Sequence, residues 1–235
     1  MQCSPAHPCS GRCERCGAAG VFRGQCQLQL TRAVGENDDV AIRNEYATHL
    51  DGADGYYREF GHKYRNPHED GVAAMVARIP TLFPELDLQK ASLLDLACGS
   101  GEVTIALLNS NLGVTANQIT ACDPYTSDAF AARTKTHQAT RPGLTAEPWS
   151  FADIANGALG ERRFDLIVCA YALHLCEQSW LPAVCMALAA ASDRLVVITP
   201  HKRPELESWW GWTQHEEYRD PAYRIRLRSY ETTKA

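Results

Sequence analysis

The chain has 235 residues, of which 45% are hydrophobic and 22% charged, which is typical of a globular protein. Its longest apolar run, from Ala183 to Ala191, is far shorter than the roughly 18–20 residues of a membrane-spanning helix, so the sequence predicts no membrane segment. Because the chain has 23 basic and 28 acidic residues, its formal charge is −5. A negative net charge gives no overall basic field that would attract nucleic acid, so we predict no nucleic-acid partner on this ground. A local basic patch is still compatible with this charge.

The first 26 residues differ in composition from the rest, because they hold His7 and half of the ten cysteines: Cys3, Cys9, Cys13, Cys16 and Cys26. An acidic cluster ends at Asp39, and we predict a flexible segment over 1–39 and a folded domain over 40–235. Cys13 and Cys16 have the spacing of a zinc knuckle, but no second pair completes a site, so we assign no metal. Metal binding, a disordered tail and an organelle presequence remain alternatives.

The remaining cysteines lie in apolar stretches, where cysteine behaves as a small hydrophobic residue. The first residues lack the basic start and apolar core of a signal peptide. We therefore expect a reducing compartment and a cytoplasmic location, with organelle import through the arginine-rich N-terminal segment as the alternative.

Helical spacing predicts a helix that begins near Val40, and a second helix from Glu69 to Ile79 that Pro80 ends. An aromatic and basic segment, 56–68, lies between them. Strands and helices then alternate, with strands predicted at 92–97, 119–123, 164–169, 195–198 and 223–228, and helices at 102–108, 129–137 and 180–191. This order predicts an α/β fold, a doubly wound and mostly parallel sheet with helices on both faces. The helices over 40–80 would form an N-terminal lid on a core over 91–235.

A glycine-rich turn follows the first of these strands. Gly99 and Gly101 allow a tight turn and a close ligand approach, and the next helix presents free N–H groups there. Asp123 ends the second strand, where a carboxylate can accept the hydroxyls of a ribose. Thr104 stands where a dinucleotide site has its third glycine or alanine, and Asp95 adds negative charge that suits a cationic ligand.

The run from Asp95 to Gly101 resembles the first motif of the class I S-adenosylmethionine-dependent methyltransferases, with Ala97 where a glycine is often found. The resemblance covers roughly residues 92–200 and implies S-adenosylmethionine as cofactor. It implies that Asp95 lies near the methionine end, that Asp123 binds the ribose, and that the 151–153 segment holds the adenine. The implied cofactor residues are Asp95, Ala97, Cys98, Gly99, Gly101, Asp123, Pro124, Ala152, Asp153 and Cys169. For Asp153, a helix-capping role is an equal alternative.

The chemistry of methyl transfer needs alignment more than a nucleophile, and a base only where the acceptor must lose a proton. Tyr171 and His174 follow the strand 164–169, so we expect them near the transferred methyl group as catalytic candidates, with packing as the alternative. Substrate or lid contacts are predicted for Tyr57, His62, Tyr64, Arg65 and His201. The lid aromatics could equally pack the helices onto the sheet.

Lys202 and Arg203 could meet an anionic substrate group or simply cap the tryptophan-rich insertion. Arg224, Arg226 and Arg228 are predicted to form a solvated strand face. We therefore predict a methyltransferase for a small-molecule acceptor. A tRNA or protein methyltransferase, which would need these basic residues to converge, is the first alternative. A non-catalytic cofactor-binding partner subunit, with Trp209, Trp210 and Trp212 at its interface, is the second. The acceptor, the methylated atom and the oligomeric state stay open.

Overall fold

The computed structural model describes residues 46, 49, 51–135 and 144–233, and these residues build one seven-stranded sheet. The strands are β1 (Leu93–Leu96), β2 (Ile119–Cys122), β3 (Ala146–Glu147), β4 (Leu166–Ala170), β5 (Arg194–Thr199), β6 (Trp212–Asp220) and β7 (Ile225–Thr232). They lie in the order β3-β2-β1-β4-β5-β7-β6. Strands β1 to β5 are parallel, and β7 is antiparallel to both β5 and β6. The predicted α/β fold with a mostly parallel sheet is confirmed.

Seven α-helices connect or cover these strands within the described residues. They are α1 (Gly52–Phe60), α2 (Glu69–Val76), α3 (Ile79–Leu82), α4 (Glu102–Asn109), α5 (Ser127–Thr134), α6 (Phe151–Ala155) and α7 (Leu181–Ala191). Short 3-10 turns occupy Gly61–Lys63, Ala116–Gln118, Leu173–Leu175 and Ser208–Trp210. None of the helices in the described ranges is both long and apolar enough to span a bilayer.

The sheet is buried on both faces, because consecutive residues of β1 belong to different apolar clusters. Leu93 packs with buried residues of α2, α3 and α4, among them Met75 and Leu107. Leu94 packs on the opposite side with residues of α6 and α7, among them Ile154 and Leu188. Burial on both faces explains the nearly continuous apolar strands of the sequence.

Several predicted elements differ from the structure. Pro80 does not end the second helix: α2 ends at Val76, and Pro80 lies in the first turn of α3, where its missing N–H costs no helical bond. The strands β3 and β6 were not predicted, since β3 has two residues and β6 is polar along most of its length. The predicted segment 1–39 and the start of the helix near Val40 lie outside the described residues.

The predicted solvated face of arginines is wrong. Arg228 is 2% exposed and donates to Glu217 and to two backbone carbonyls, while Arg226, at 15% side-chain exposure, also pairs with Glu217. Arg224 precedes β7 and has a positive φ of 55°. Strand β6 pairs with β7 and places Glu217 opposite Arg228, which is why Arg226 and Arg228 are covered, whereas Arg224 is exposed.

The tryptophan-rich stretch supplies the first prediction. Trp212 is fully buried, and its indole Nε1 donates to the carbonyl of Cys185 in α7 at 2.9 Å, whereas Trp209 is 68% exposed. Trp212→Ala should lower the free energy of unfolding by about 3–5 kcal/mol, because it leaves a cavity between α7 and the sheet. Trp209→Ala should change it by less than about 0.5 kcal/mol. Urea unfolding of both variants checks this, and equal losses would contradict the assigned packing.

Candidate functional site

The loops that leave β1, β2, β4 and β5 meet at one edge of the sheet, as the parallel direction of these strands requires. In open α/β sheets this carboxyl edge is where ligands bind. Two adjoining cavities lie there, and the segment before β1 covers them.

The glycine loop between β1 and α4 follows an unusual backbone path. Gly99 and Gly101 have φ values of +56° and +92°, and Ala97 takes +52°, so the loop bends at three left-handed residues. A Cβ on Gly99 would come within 2.9 Å of the Tyr64 ring, so the absence of a side chain lets Tyr64 lie on the loop. Gly101 begins α4 as its N-cap residue. Ala97 thus adopts the turn despite its Cβ, at some cost in backbone strain.

Asp95 ties the loop to the helix that follows it. Its Oδ2 accepts hydrogen bonds from the backbone N–H of Thr104 at 3.0 Å and from the Thr104 hydroxyl at 2.6 Å. The carboxyl group is almost fully buried, and this burial raises its pKa to about 7, although the Thr104 hydrogen bonds act in the opposite direction. Asp95 is therefore a buried carboxyl group that changes its charge near neutral pH.

Asp123 holds the same loop from the end of β2. Its Oδ2 accepts from the Gly99 N–H at 3.2 Å, and its Oδ1 accepts from the N–H groups of Tyr125 and Thr126 at 2.9 and 3.1 Å. A carboxylate has about four acceptor positions, so these three amides leave capacity for about one more donor. The carboxylate thus both fixes the loop and keeps one position for a ligand.

The first cavity, of about 240 Å³, lies over the glycine loop and is strongly acidic. Its carboxyl-bearing lining residues are Asp54, Asp95, Glu102, Asp123 and Glu177, and no described lysine or arginine lines it. Aromatic rings close it: Tyr57, Tyr64, Tyr125, Trp149, Phe151, Tyr171 and Trp180. Acidic groups and aromatic faces together suit a cation that carries a flat ring system.

Six further residues predicted for the cofactor fall into two groups. Ala97, Cys98, Pro124 and Ala152 line the first cavity with Asp95, Gly99 and Asp123. Cys169 does not line it: the side chain is fully buried in the core cluster next to α7, because its neighbour Ala170 is the strand residue that reaches the cavity. Asp153 is exposed and does not line the cavity either.

Asp153 serves the start of α6. The Ser150 hydroxyl accepts from the Asp153 N–H at 3.1 Å, and Asp153 Oδ2 accepts from the Ser150 N–H at 2.9 Å. This is a reciprocal capping box in which Ser150 is the N-cap. Asp153 therefore takes part in helix capping as the N3 residue, whereas the N-cap itself is Ser150. An adenine contact of Asp153 stays a prediction.

The second cavity, of about 580 Å³, opens beside the first and shares Tyr57, Tyr64, Asn66, Tyr171 and Leu175 with it. The catalytic candidates Tyr171 and His174 and the substrate candidate His201 all line it. The rings of His174 and His201 have centroids 4.3 Å apart, and Tyr171 stacks on His68 at 5.2 Å. Tyr171 also has a φ of +57°, which turns the chain sharply after β4.

Two predicted lid residues lie elsewhere. His62 and Arg65 are exposed and line neither cavity, and Arg65 forms an ion pair with Glu69 at 3.1 Å. By contrast, Tyr57 and Tyr64 line both cavities, with ring centroids 5.2 Å apart. Burial raises the pKa of both phenols, so they stay neutral at physiological pH.

An ionic network that sequence reasoning missed joins the covering segment to the glycine loop. The Arg133 guanidinium pairs with Glu69 of α2 and with Glu102 of α4 and also donates to the Ser100 hydroxyl. Glu102 in turn accepts from the Asn66 N–H at 3.2 Å. The bonded partners in this network are 31 to 64 positions apart along the chain, so no local pattern could have indicated it.

Comparisons with known proteins agree with this geometry. The sequence profile of a methyltransferase domain matches residues 94–192. Protein C17A5.05c of Schizosaccharomyces pombe, which is uncharacterised, is 32% identical over 211 residues, covering 75% of this chain and 81% of that protein.

Solved structures show the same fold. Magnesium protoporphyrin IX methyltransferase of Synechocystis is 17% identical, with a TM-score of 0.52 over 85% of this chain and 99% of that one. The mitomycin 7-O-methyltransferase MmcR is 13% identical, with a TM-score of 0.55 over 83% and 67%. With its glycine loop, its strand order and its matched methyltransferase domain, the chain belongs to the class I S-adenosylmethionine-dependent methyltransferases.

Proposed function

We propose that the protein methylates a small-molecule acceptor that binds in the second cavity while S-adenosylmethionine occupies the first. The observation that carries this proposal is the pair of adjoining cavities, which share the rings of Tyr57, Tyr64 and Tyr171. A cofactor and an acceptor placed in them would meet at these rings, as an in-line methyl transfer requires.

The residues of the first cavity fit the cofactor. Asp95 offers negative charge for the ammonium group and the sulfonium, and Asp123 keeps one acceptor position for a ribose hydroxyl. Phe151 and Trp149 offer faces for the adenine ring, next to Ala152. Gly99 lets the cofactor and Tyr64 approach the loop closely.

When bound, S-adenosylmethionine supplies an electrophilic methyl group on a positively charged sulfur. The chain's contribution is to align the acceptor and exclude water. The Tyr57 and Tyr64 rings line both cavities, and their neutral faces can stabilise positive charge. His174 lies in the second cavity, where its imidazole can take a proton from an acceptor hydroxyl or amine.

A small acceptor is favoured over RNA, because Arg226 and Arg228 are held by Glu217 and do not form an exposed basic stripe. Two structures of this fold are named for small acceptors, magnesium protoporphyrin IX and mitomycin, which supports this choice. The alternative of a non-catalytic partner subunit has only the exposed Trp209 in its favour. The catalytic candidates Tyr171 and His174 line the second cavity, and this favours an enzyme.

Cofactor binding is the first test. Calorimetry should show binding of S-adenosylhomocysteine and no binding of NAD. Asp123→Ala should weaken that binding by about 10- to 100-fold, the equivalent of roughly 1.5–3 kcal/mol for hydrogen bonds to a charged acceptor. Asp87→Ala, which removes an exposed carboxylate that lines neither cavity, is the matched control. Unchanged affinity in Asp123→Ala would remove Asp123 from the site.

The second test uses pH. Since the folded-state pKa of Asp95 is raised to about 7, its carboxyl group is mostly protonated below pH 7 in the ligand-free protein. Affinity for S-adenosylhomocysteine should therefore rise by up to tenfold per unit as the pH approaches 7, and level off above it. The same shift makes the contribution of Asp95 to ligand-free stability fall as the pH rises through about 7. Calorimetry and thermal unfolding from pH 5.5 to 8.5 would measure both, and a pH-dependence identical in Asp95→Asn would contradict the assignment.

The third test addresses the acceptor side. Once an acceptor is found by a labelled-methyl screen, His174→Ala should lower turnover by roughly 10²–10⁴, the usual contribution of a positioned base, while leaving S-adenosylhomocysteine affinity within about twofold. His215→Ala, on the exposed strand β6, should leave turnover unchanged. A loss below about tenfold, or one matched by a lower melting temperature, would assign His174 to packing.

A further inference from the structure

The two cavities differ in charge. Among the described residues, the first is lined by five carboxyl groups and no lysine or arginine, whereas the second is lined by Lys202, Arg203 and three histidines and by no carboxyl group. The whole chain has a formal charge of −5, so a cavity lined by cations and by no carboxyl group differs in charge from the chain as a whole. A cavity lined by one sign of charge concentrates ligands of the opposite sign.

Lys202 and Arg203 are available to a ligand. Both are exposed as well as lining the cavity, so they stand at its mouth. Neither forms an ion pair with any carboxylate in the described part of the chain. Their charge is therefore not neutralised by a neighbouring side chain.

The backbone of this loop is anchored from below. Arg228 donates to the carbonyl oxygens of Lys202 at 2.7 Å and Pro204 at 3.0 Å, and its Nε donates to Glu217 at 2.9 Å. Partial burial opposes ionisation of Glu217, but hydrogen bonds from Arg219 and Arg228 outweigh it and lower the pKa to about 2. Glu217 is therefore ionised across the physiological range and keeps Arg228 in place beneath the loop.

Rings form the rest of the wall. Tyr46, Tyr57, Tyr64 and Tyr171 line the cavity, and the Tyr46 and Tyr57 hydroxyls share a hydrogen bond of 2.7 Å. Flat aromatic walls favour a planar ligand, which they can contact by stacking or edge-on.

We propose that the methyl acceptor is a planar or aromatic compound that carries an oxyanion, a carboxylate or a phosphate, which Lys202 and Arg203 bind at the mouth of the second cavity. This inference rests on the proposed function, because it assigns that cavity to the acceptor. The ring system would lie inward between the tyrosines, with the charged end toward the loop at 202–204. Such an arrangement would also separate the anion from the acidic first cavity.

The test uses three probes of similar shape: 3-phenylpropanoate, phenyl phosphate and the neutral 3-phenylpropanamide. Their affinities are measured by ligand-observed NMR with the full chain saturated with S-adenosylhomocysteine. At least one anionic probe should bind about tenfold or more tightly than the amide, since charge-assisted hydrogen bonds are the stronger ones. Comparing the two anions tells a carboxylate site from a phosphate site.

The variant Lys202→Gln/Arg203→Gln should lose this preference and bind the amide as the parent does. Lys90→Gln/Arg163→Gln removes the same charge at the amino ends of β1 and β4, outside both cavities, and should keep the preference. Equal binding of acid and amide, a preference that persists in the Lys202 and Arg203 variant, or no binding of either anion at about 10 mM would overturn the inference. The binding of S-adenosylhomocysteine to the parent and to each variant is measured by calorimetry as well. If the parent does not bind S-adenosylhomocysteine, the proposed function is contradicted, and not this inference alone.

Discussion

Two buried carboxylates fix the loop on which the rest of the site depends. Asp95 holds the start of α4 through Thr104, and Asp123 holds Gly99 through its N–H group. Hydrogen bonds to charged groups contribute about 1.5–3 kcal/mol each, enough to keep the left-handed turn at Ala97 and Gly99 in one conformation. Because the same carboxylates line the first cavity, the groups that shape the loop also set its negative charge.

Charge is arranged differently on the two sides of the shared tyrosines. On the cofactor side, Arg133 links Glu69 to Glu102 and so joins the covering segment to the glycine loop. On the other side, Arg228 is buried and donates hydrogen bonds to Glu217 and to the backbone carbonyl of Lys202. The ion-paired Arg133 and Arg228 thus act as structural links, while the cations that can meet a ligand are the exposed Lys202 and Arg203. This division is consistent with an acceptor that carries the charge opposite to that of the cofactor.

The local sequence was sufficient for the centre of the sheet. Strand, glycine turn and helix follow one another directly from Leu93 to Asn109, and Asp123 ends the next strand, so period and turn chemistry alone predicted them. The cavity position of Gly99 and Asp123 followed from the order of strand, glycine turn, helix and second strand, whereas that of Asp95 was implied by the resemblance to the methyltransferases. The position of Tyr171 and His174 at the second cavity followed from the rule that parallel strands end at one edge.

Only the tertiary structure decided the rest, because those features depend on contacts between distant parts of the chain. The sequence by itself determined the alternation of strands and helices, the glycine turn and the acids beside it. It could not show that β6 covers Arg228, since the pairing with Glu217 depends on the register of a hairpin. Nor could it place Cys169 in the core and Ala170 at the cavity, because two neighbours on a strand point to opposite faces and only packing selects which face is occupied.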